Sequence, residues 1–327
     1  MSARLATDLN EIPELQCSEN VLLSSLTRFA IGGPARILAD ASSEAALIAT
    51  LNMIRDANHP PAPYALIGGG TNLIADDRGF PGLILRYTAK SIEIYGPVVR
   101  VAAGAVLQDL VDSTIAAGLQ GLHTMTGIPG WVGGAIYGNA GAYGHSIHEF
   151  VESVRFLDCS ARGSKAREIG NAACEFQYRE SVFKRHKDWI VLEAILRLPP
   201  GDPVGLRAAA QGILKVRNEK YPPTMRCAGS IFKNLILAEL PETVRGQIPE
   251  RVIREGKVPS AYFLELAGAK GMVLGGVQVA DYHANLIYNA NGGTAGQVRE
   301  LIGELKRRVR EQCGLHLEEE VQYLSCS

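Results

Sequence analysis

The residues of this 327-residue chain that could do chemistry fall into two kinds of stretch. One kind is glycine-rich and works through its backbone. Gly68-Gly69-Gly70-Thr71-Asn72-Leu73-Ile74 follows a short apolar segment. A longer stretch near the middle reads Gly127-Ile128-Pro129-Gly130-Trp131-Val132-Gly133-Gly134-Ala135-Ile136-Tyr137-Gly138-Asn139-Ala140-Gly141-Ala142-Tyr143-Gly144. An interior glycine costs a helix roughly 1 kcal/mol relative to alanine, so this run does not read as a periodic helix. Apolar residues between the glycines set it apart from a flexible Gly/Ser linker. What glycine adds is close approach of the backbone and access to positive φ. Such a stretch points to a large flat ligand whose phosphates take backbone N–H groups. A tightly turned β-region without a ligand is the alternative.

The Gly68–Leu73 loop fails two familiar nucleotide motifs. A P-loop places lysine and Ser/Thr after its last glycine, where this chain has Leu73 and Ile74. A dinucleotide fingerprint would need its third glycine at Leu73 and a long helix before Gly79-Phe80-Pro81-Gly82. A pyrophosphate cradle of another type and a plain strand-to-turn connection both remain.

The second kind of stretch is polar: Tyr178-Arg179-Glu180-Ser181, Gly229-Ser230-Ile231-Phe232-Lys233-Asn234, and Leu317-Glu318-Glu319-Glu320-Val321. Taken singly, each has a bland reading. Ser230 on a glycine turn can be a cap. Arg179 can pair with Glu180 or Glu175 at the surface. Glu320 sits in an acidic run of the kind that is usually solvated. His145 and His148, like Cys313 and His316, have ligand-like spacing without a second cluster, so no metal site is expected. The six cysteines lack paired spacing, which fits reduced thiols.

Composition narrows the classes further. A formal net charge of -1 argues against a nucleic-acid partner. The basic run Arg299–Arg310 has acids interleaved and reads as a solvated helix face. Met1–Asn20 has no apolar signal-peptide core, and no apolar run approaches the roughly 20 residues of a membrane span. The expectation is a cytoplasmic protein with no membrane insertion. Nothing in the sequence names a protein partner.

Several elements must position these stretches. The pattern predicts a strand at 36–39, a helix over 43–58 stopped by His59-Pro60-Pro61-Ala62-Pro63, and strands at 65–67 and 83–87. A hairpin follows over 91–95 and 98–102, then a helix over 106–117 ended by Gly118. Strands are predicted at 151–158, 167–168 and 189–198, and a helix at 206–219 stopped by Tyr221-Pro222-Pro223. The last third predicts a helix beginning in Pro259–Ala267, one strand over 273–279, another at 286–288 and a final strand at 321–324. Thr294-Ala295-Gly296-Gln297 reads as a capping box before a long amphipathic helix ended by Gly314. Thr27 opens the ordered part.

Read together, these motifs resemble one family. Leu66–Arg86 and Val101–Gly144 resemble the signature of a group of FAD-binding proteins. The order Ile128-Pro129-Gly130, Val132-Gly133-Gly134-Ala135 and Asn139-Ala140-Gly141-Ala142-Tyr143-Gly144 is similar to that of the UDP-N-acetylenolpyruvoylglucosamine reductase family. Tyr178-Arg179-Glu180-Ser181, Gly229–Asn234 and Leu317–Val321 match three further motifs of that family. His283-Ala284-Asn285-Leu286-Ile287-Tyr288-Asn289 resembles a fourth. The resemblance runs from about Thr27 to Leu324. Departures are Trp131 for a small residue, Leu235 for a proline, Gln322 for an arginine, and a longer segment 236–257.

The resemblance implies an α+β fold: a two-subdomain FAD-binding domain of the PCMH/vanillyl-alcohol-oxidase type plus a C-terminal α+β substrate-binding domain. The boundaries expected are 1–26 for an N-terminal segment, 27–200 for the FAD domain (about 27–88 and 89–200), and 201–327 for the substrate domain, whose last strand returns to the first subdomain. It implies FAD as cofactor, NADPH as co-substrate, and reduction of UDP-N-acetylglucosamine enolpyruvate to UDP-N-acetylmuramate. By the same resemblance, Gly68, Gly69, Gly70, Thr71, Asn72, Gly127, Ile128, Gly133, Gly134, Asn139, Gly141 and Ala142 line the flavin. Ser230 gives a proton to the substrate α-carbon, with Lys233 a candidate to stabilise the alkoxide. Arg179 supplies a cation to the pyruvyl carboxylate and Glu320 shares a proton with it. Tyr178, Lys233, Asn234 and Asn285 contact substrate. An FAD oxidase of the wider superfamily, and a non-catalytic nucleotide-binding regulator, are the rival readings.

Overall fold

The structure is a computed structural model and describes residues 3–55, 63–160 and 164–325. The end of the helix expected over 43–58, its proline stop and Cys326 lie outside the described residues. Chain contacts divide it into two compact units, neither of them one continuous segment.

The first unit comprises 1–21, 35–69 and 81–219. It carries two sheets. In one, the strands Leu15–Leu22, Pro34–Ala41, Phe80–Tyr87 and Tyr64–Leu66 lie side by side in that order. In the other the order is Lys165–Gly170, Val151–Asp158, Trp189–Arg197, Val98–Ala102 and Ile92–Tyr95, all pairs antiparallel. The predicted hairpin is there, with Ile92 opposite Val101 and Tyr95 opposite Val98. The helix Leu107–Ala116 buries Leu107, Leu110, Val111 and Ile115 on one face, the spacing that marked it as helical.

The second unit comprises 22–34, 70–80 and 220–327. Its sheet runs Cys227–Ser230, His283–Asn289, Val277–Ala280 and Val273–Leu274, again antiparallel. The helices Ser260–Leu266 and Ala295–Cys313 share its core through Phe263, Leu264, Val298, Leu301, Ile302, Leu305 and Val309. The capping box forms as read: Thr294 Oγ1 accepts from the Gln297 N–H at 3.2 Å and Gln297 Oε1 from the Thr294 N–H at 3.2 Å. Gly314 ends the helix at φ 68°.

Four features differ from expectation. Order begins before Thr27, because the helix Ala3–Asn10 and the following strand bury Leu5, Leu9, Ile12 and Leu15 in the first unit's core. The strand expected over 273–279 is two strands joined at Gly275-Gly276, where φ +56° at Gly275 makes the turn. The helix Pro203–Lys220 starts earlier than predicted, and Leu206 and Ala210 pack into the first unit's core. That moves it out of the C-terminal domain drawn from 201. Conversely, Phe29, Ile31 and Ile74 pack into the second unit's core, and by their contacts 22–34 and 70–80 group with that unit. The last strand, Gln322–Leu324, pairs in parallel with Leu73–Ala75, a piece of the range 27–88 that belongs to this second unit. The segment 236–257 is an excursion closed by antiparallel pairing of Leu235–Ile236 with Lys257–Val258.

Candidate active site

In the first unit the central glycine stretch contains a short helix, Val132–Tyr137, against the expectation of none. It is brief enough that two glycines do not forbid it, and Val132, Ala135 and Ile136 are buried. Its entry is fixed by the chain itself: the N–H groups of Val132 and Gly133 bond to the carbonyls of Ala105 and Ala103 at 2.9 and 2.8 Å. The glycines assigned to a ligand therefore separate into two groups. Gly141 sits in a hairpin where a Cβ would stand 2.3 Å from the His145 carbonyl oxygen, and Ala142 pairs with His145 beside it. At Gly133 a Cβ would meet that of Ala103 at 2.9 Å, and at Gly69 it would meet the Trp131 ring at 3.2 Å. Gly127 needs φ +76°, and its N–H donates to Gln108 at 2.7 Å. The next N–H, that of Ile128, bonds to Met125. Gly68 and Gly134 are different. A Cβ at either would find nothing of the protein within 4 Å, and neither carries a positive φ. Packing and conformation leave glycine unexplained there, and a ligand lying against that backbone explains it.

Asn139 is 2% exposed. Its Nδ2 donates to the Gln177 carbonyl at 2.8 Å, and its Oδ1 lies 3.2 Å from His148 Nδ1. The side chain expected at the flavin instead ties the glycine stretch to the Tyr178 turn. That turn is tight: the backbones of Gln177 and Glu180 exchange hydrogen bonds of 3.0 and 3.1 Å, with Arg179 at φ 58°. A non-glycine residue held there is strained, which is a mark of functional positions. Arg179 Nη2 donates to the Gly141 carbonyl at 3.0 Å, and its guanidinium lies 5.2 Å from the Tyr178 ring centroid. Of the nearby carboxylates, Glu180 pairs with Lys184 at 2.9 Å and Glu175 with Arg185. Ser181 is fully buried and donates to the Tyr137 carbonyl at 2.7 Å.

In the second unit, Ser230 ends the strand Cys227–Ser230. Cys227 faces Tyr288 and Ser230 faces Leu286, so the strand carries an extra residue between them. Gly229, at φ +78°, makes this bulge possible. Bulges re-aim side chains, and here Ser230 Oγ lies 3.0 Å from the Tyr221 hydroxyl. The chain then pairs with the acidic run. Lys233 N–H donates to the Glu318 carbonyl at 2.9 Å and Glu320 N–H to the Ile231 carbonyl at 2.8 Å. Thus Glu320, remote in sequence, is backbone-bonded next to Ser230. On its other side, Asn72 Nδ2 donates to the Glu320 carbonyl at 2.9 Å and the Asn72 carbonyl accepts from Gln322 at 2.9 Å. Gly70, close by in sequence, has φ +64° and would place a Cβ 2.0 Å from the Leu26 carbonyl oxygen, so this unit itself requires glycine there. Lys233 is buried, and its Nζ reaches Glu318 at 2.6 Å. Half-buried Asn234 follows Lys233, as half-buried Thr71 precedes Asn72.

Matches to known proteins cover both units. The model described as FAD binding domain matches residues 35–164, and the model described as UDP-N-acetylenolpyruvoylglucosamine reductase, C-terminal domain, matches 221–324. The UDP-N-acetylenolpyruvoylglucosamine reductase of Solibacter usitatus is 54% identical over 313 residues, 96% of this chain and 98% of that one. That of Rubrobacter xylanophilus is 35% identical over 302 residues, 92% of each. The crystal structure of the Thermus caldophilus enzyme of that name superposes with a TM-score of 0.72 at 26% identity, covering 95% of this chain and 99% of that chain. This chain belongs to the UDP-N-acetylenolpyruvoylglucosamine reductase family. The α+β, FAD-domain-plus-C-terminal-domain architecture expected from its motifs is the one found.

Membership in the family does not make every motif residue a ligand contact. Asn285 is 3% exposed. Its Oδ1 accepts from the Phe232 N–H at 2.9 Å, and its Nδ2 donates to the Phe232 carbonyl at 2.8 Å and to Ser260 Oγ at 2.7 Å. Both amide hydrogens are used, so Asn285 braces the segment that follows Ser230. Asn72 likewise gives one amide hydrogen to the Glu320 carbonyl. The residue that sequence reasoning missed is Tyr221, which looked only like a helix stop. Its partner Ser230 is nine positions on, and no spacing rule connects a residue after a helix to a strand bulge.

Proposed function

We propose that this chain is the FAD-dependent enzyme that reduces UDP-N-acetylglucosamine enolpyruvate to UDP-N-acetylmuramate with NADPH, a cytoplasmic step of peptidoglycan precursor synthesis. FAD, when bound, supplies the hydride that it has taken from NADPH. Gly68 and Gly134 are compatible with that group, because the protein itself puts no atom within 4 Å of a Cβ built at either. With them, Gly69, Gly70, Thr71, Gly127, Ile128, Gly133, Gly141 and Ala142 make the backbone that would hold it.

The chain's own residues then act on the enolpyruvyl ether. Hydride arrival at the methylene carbon leaves negative charge on the α-carbon and pyruvyl carboxylate. Arg179, held by the Gly141 carbonyl and the Tyr178 ring, supplies a fixed cation for that charge. Glu320 shares a proton with the same carboxylate. Ser230 delivers the proton that completes the α-carbon. Tyr178, Lys233 and Asn234 are substrate contacts. The observation that carries this reading is the pairing of 318–320 with 231–233. It sets a carboxylate residue beside a hydroxyl re-aimed by a glycine bulge, in a chain 54% identical to a named reductase.

No helix among the described residues is long and apolar enough to cross a membrane. The decisive experiment is an anaerobic titration of the purified yellow protein. NADPH should bleach the flavin and the enolpyruvyl substrate should restore its colour. A flavin that stays bleached with substrate and recovers only with oxygen would instead make the chain an oxidase.

A further inference from the structure

The second unit holds a polar group that the chemistry above leaves unused. Tyr221 follows the helix Pro203–Lys220 and precedes Pro222-Pro223. Its ring packs against the core of this unit. The residue before it is anchored, since the Tyr282 hydroxyl donates to the Lys220 carbonyl at 2.9 Å. Lys220 Nζ covers the ring, 5.0 Å from its centroid. The phenol oxygen is thereby set 3.0 Å from Ser230 Oγ, at hydrogen-bond distance.

That placement meets a difficulty in the serine's task. An aliphatic hydroxyl is a poor acid, and once its proton has gone to carbon the alkoxide left behind needs a proton or a charge partner. Lys233, the cation suggested by sequence, directs Nζ to the Glu318 carboxylate at 2.6 Å. The phenol of Tyr221 stands at the serine oxygen itself. Between two hydroxyls one must donate. If Ser230 aims its hydrogen at the substrate, Tyr221 donates to Ser230.

We propose that Tyr221 is a second catalytic residue, the proton source behind Ser230. As the Ser230 O–H bond breaks and the C–H bond forms at the substrate α-carbon, the Tyr221 proton passes to the serine oxygen. Serine ends the step neutral. The negative charge rests on the phenol oxygen, which bears it far better than an alkoxide does, and water then reprotonates the phenol. Only protons move in this relay. It rests on the reading of Ser230 as the proton donor.

Stopped-flow flavin absorbance with Tyr221→Phe tests it, run anaerobically in mixtures of H₂O and D₂O. Flavin bleaching by NADPH should be unchanged. Re-oxidation by the enolpyruvyl substrate should slow by about 10–100-fold, the effect of removing a hydrogen bond to a developing charge. The native re-oxidation rate should curve more strongly with deuterium fraction than the Tyr221→Phe rate, because the hydrogen carried by reduced flavin exchanges with solvent and counts in both, whereas the Tyr221 proton counts only in the native enzyme. In a Ser230→Ala background, Tyr221→Phe should cost nothing more. Calorimetric affinity for UDP-N-acetylmuramate should be kept. Native re-oxidation in Tyr221→Phe, an additive loss in the double variant, or lost product affinity would each overturn the relay. If Ser230→Ala itself re-oxidises at the native rate, the proton-donor reading falls and the relay with it. A slow Ser230→Ala beside a native Tyr221→Phe would remove the relay alone.

Discussion

The glycine stretch Gly127–Gly144 of the first unit and the Ser230–Asn234 segment of the second are both sites in prospect, built on opposite principles. In the first, what matters is the side chain that is missing. In the second, what matters is a set of polar side chains whose bonds are almost all settled within the unit. The glycine signal overstates the ligand surface: Gly133 and Gly141 are demanded by close neighbours and Gly127 by its φ, while Gly68 and Gly134 have neither reason. The serine motif understates its machinery, because Tyr221, outside the motif, and Asn285 and Asn72, far along the chain, hold it.

The largest expected effect lies on the side-chain half of this contrast. Ser230→Ala should slow re-oxidation of reduced flavin by the enolpyruvyl substrate by roughly 10²–10⁴-fold, as for a lost general acid. Bleaching by NADPH should continue at nearly the native rate. Stopped-flow absorbance separates the two steps, and the reverse pattern would end the assignment.

On the backbone half, two glycine substitutions should behave oppositely. The Cβ added in Gly134→Val meets no protein atom within 4 Å, so apoprotein stability should stay within about 0.5 kcal/mol, as for other neutral surface changes. The purified protein should nonetheless lack flavin. Gly70→Ala should destabilise by about 2 kcal/mol or more, through strain at φ +64° and the Leu26 carbonyl. Denaturant titrations and the flavin-to-protein absorbance ratio read both. Full flavin occupancy in Gly134→Val would show that its open space is not a cofactor cradle.

Asn285→Ala should cost about 1–3 kcal/mol, the size of leaving buried backbone groups unpaired. A raised KM for the enolpyruvyl substrate at unchanged stability would return Asn285 to the role of substrate contact.

A smaller effect concerns His283, whose Nδ1 is buried without a hydrogen-bond partner. Burial, then nearby Lys220, lowers its pKa to about 4. An unfolded histidine titrates near 6.5, so between those values the unfolded chain binds the extra proton. Stability should therefore fall as pH drops from about 6.5 to about 4, and His283→Gln should flatten that slope in denaturant titrations. Smallest of all is Cys227→Ala. Burial pushes this thiol's pKa up, which keeps it protonated and inert. Turnover should be nearly native, and a large loss in a folded variant would give the thiol a role.

Some features were legible because their causes are local. The capping box at Thr294, the positive-φ stop at Gly314, the hairpin at 92–102 and the face of Leu107–Ala116 depend on residues a few positions apart. The helix Ala3–Asn10 was missed because its stability comes from burying Leu5 and Leu9 in a core made by other segments. The split at Gly275-Gly276 was missed because a glycine inside an apolar run reads equally as strand.

The sequence by itself determined the family, through the order of its motifs, and with it the chemistry proposed for Ser230, Arg179 and Glu320. Tertiary structure alone decided which residues serve those groups. Asn285, Asn139 and Asn72 share a residue type that suits ligand contact, yet each spends amide groups on backbone carbonyls far along the chain. Tyr221 carried no motif at all and acquired a partner only when a bulge turned Ser230 toward it. The physical reason is that a hydrogen bond is chosen by distance and direction in space, and sequence records neither until the chain has folded.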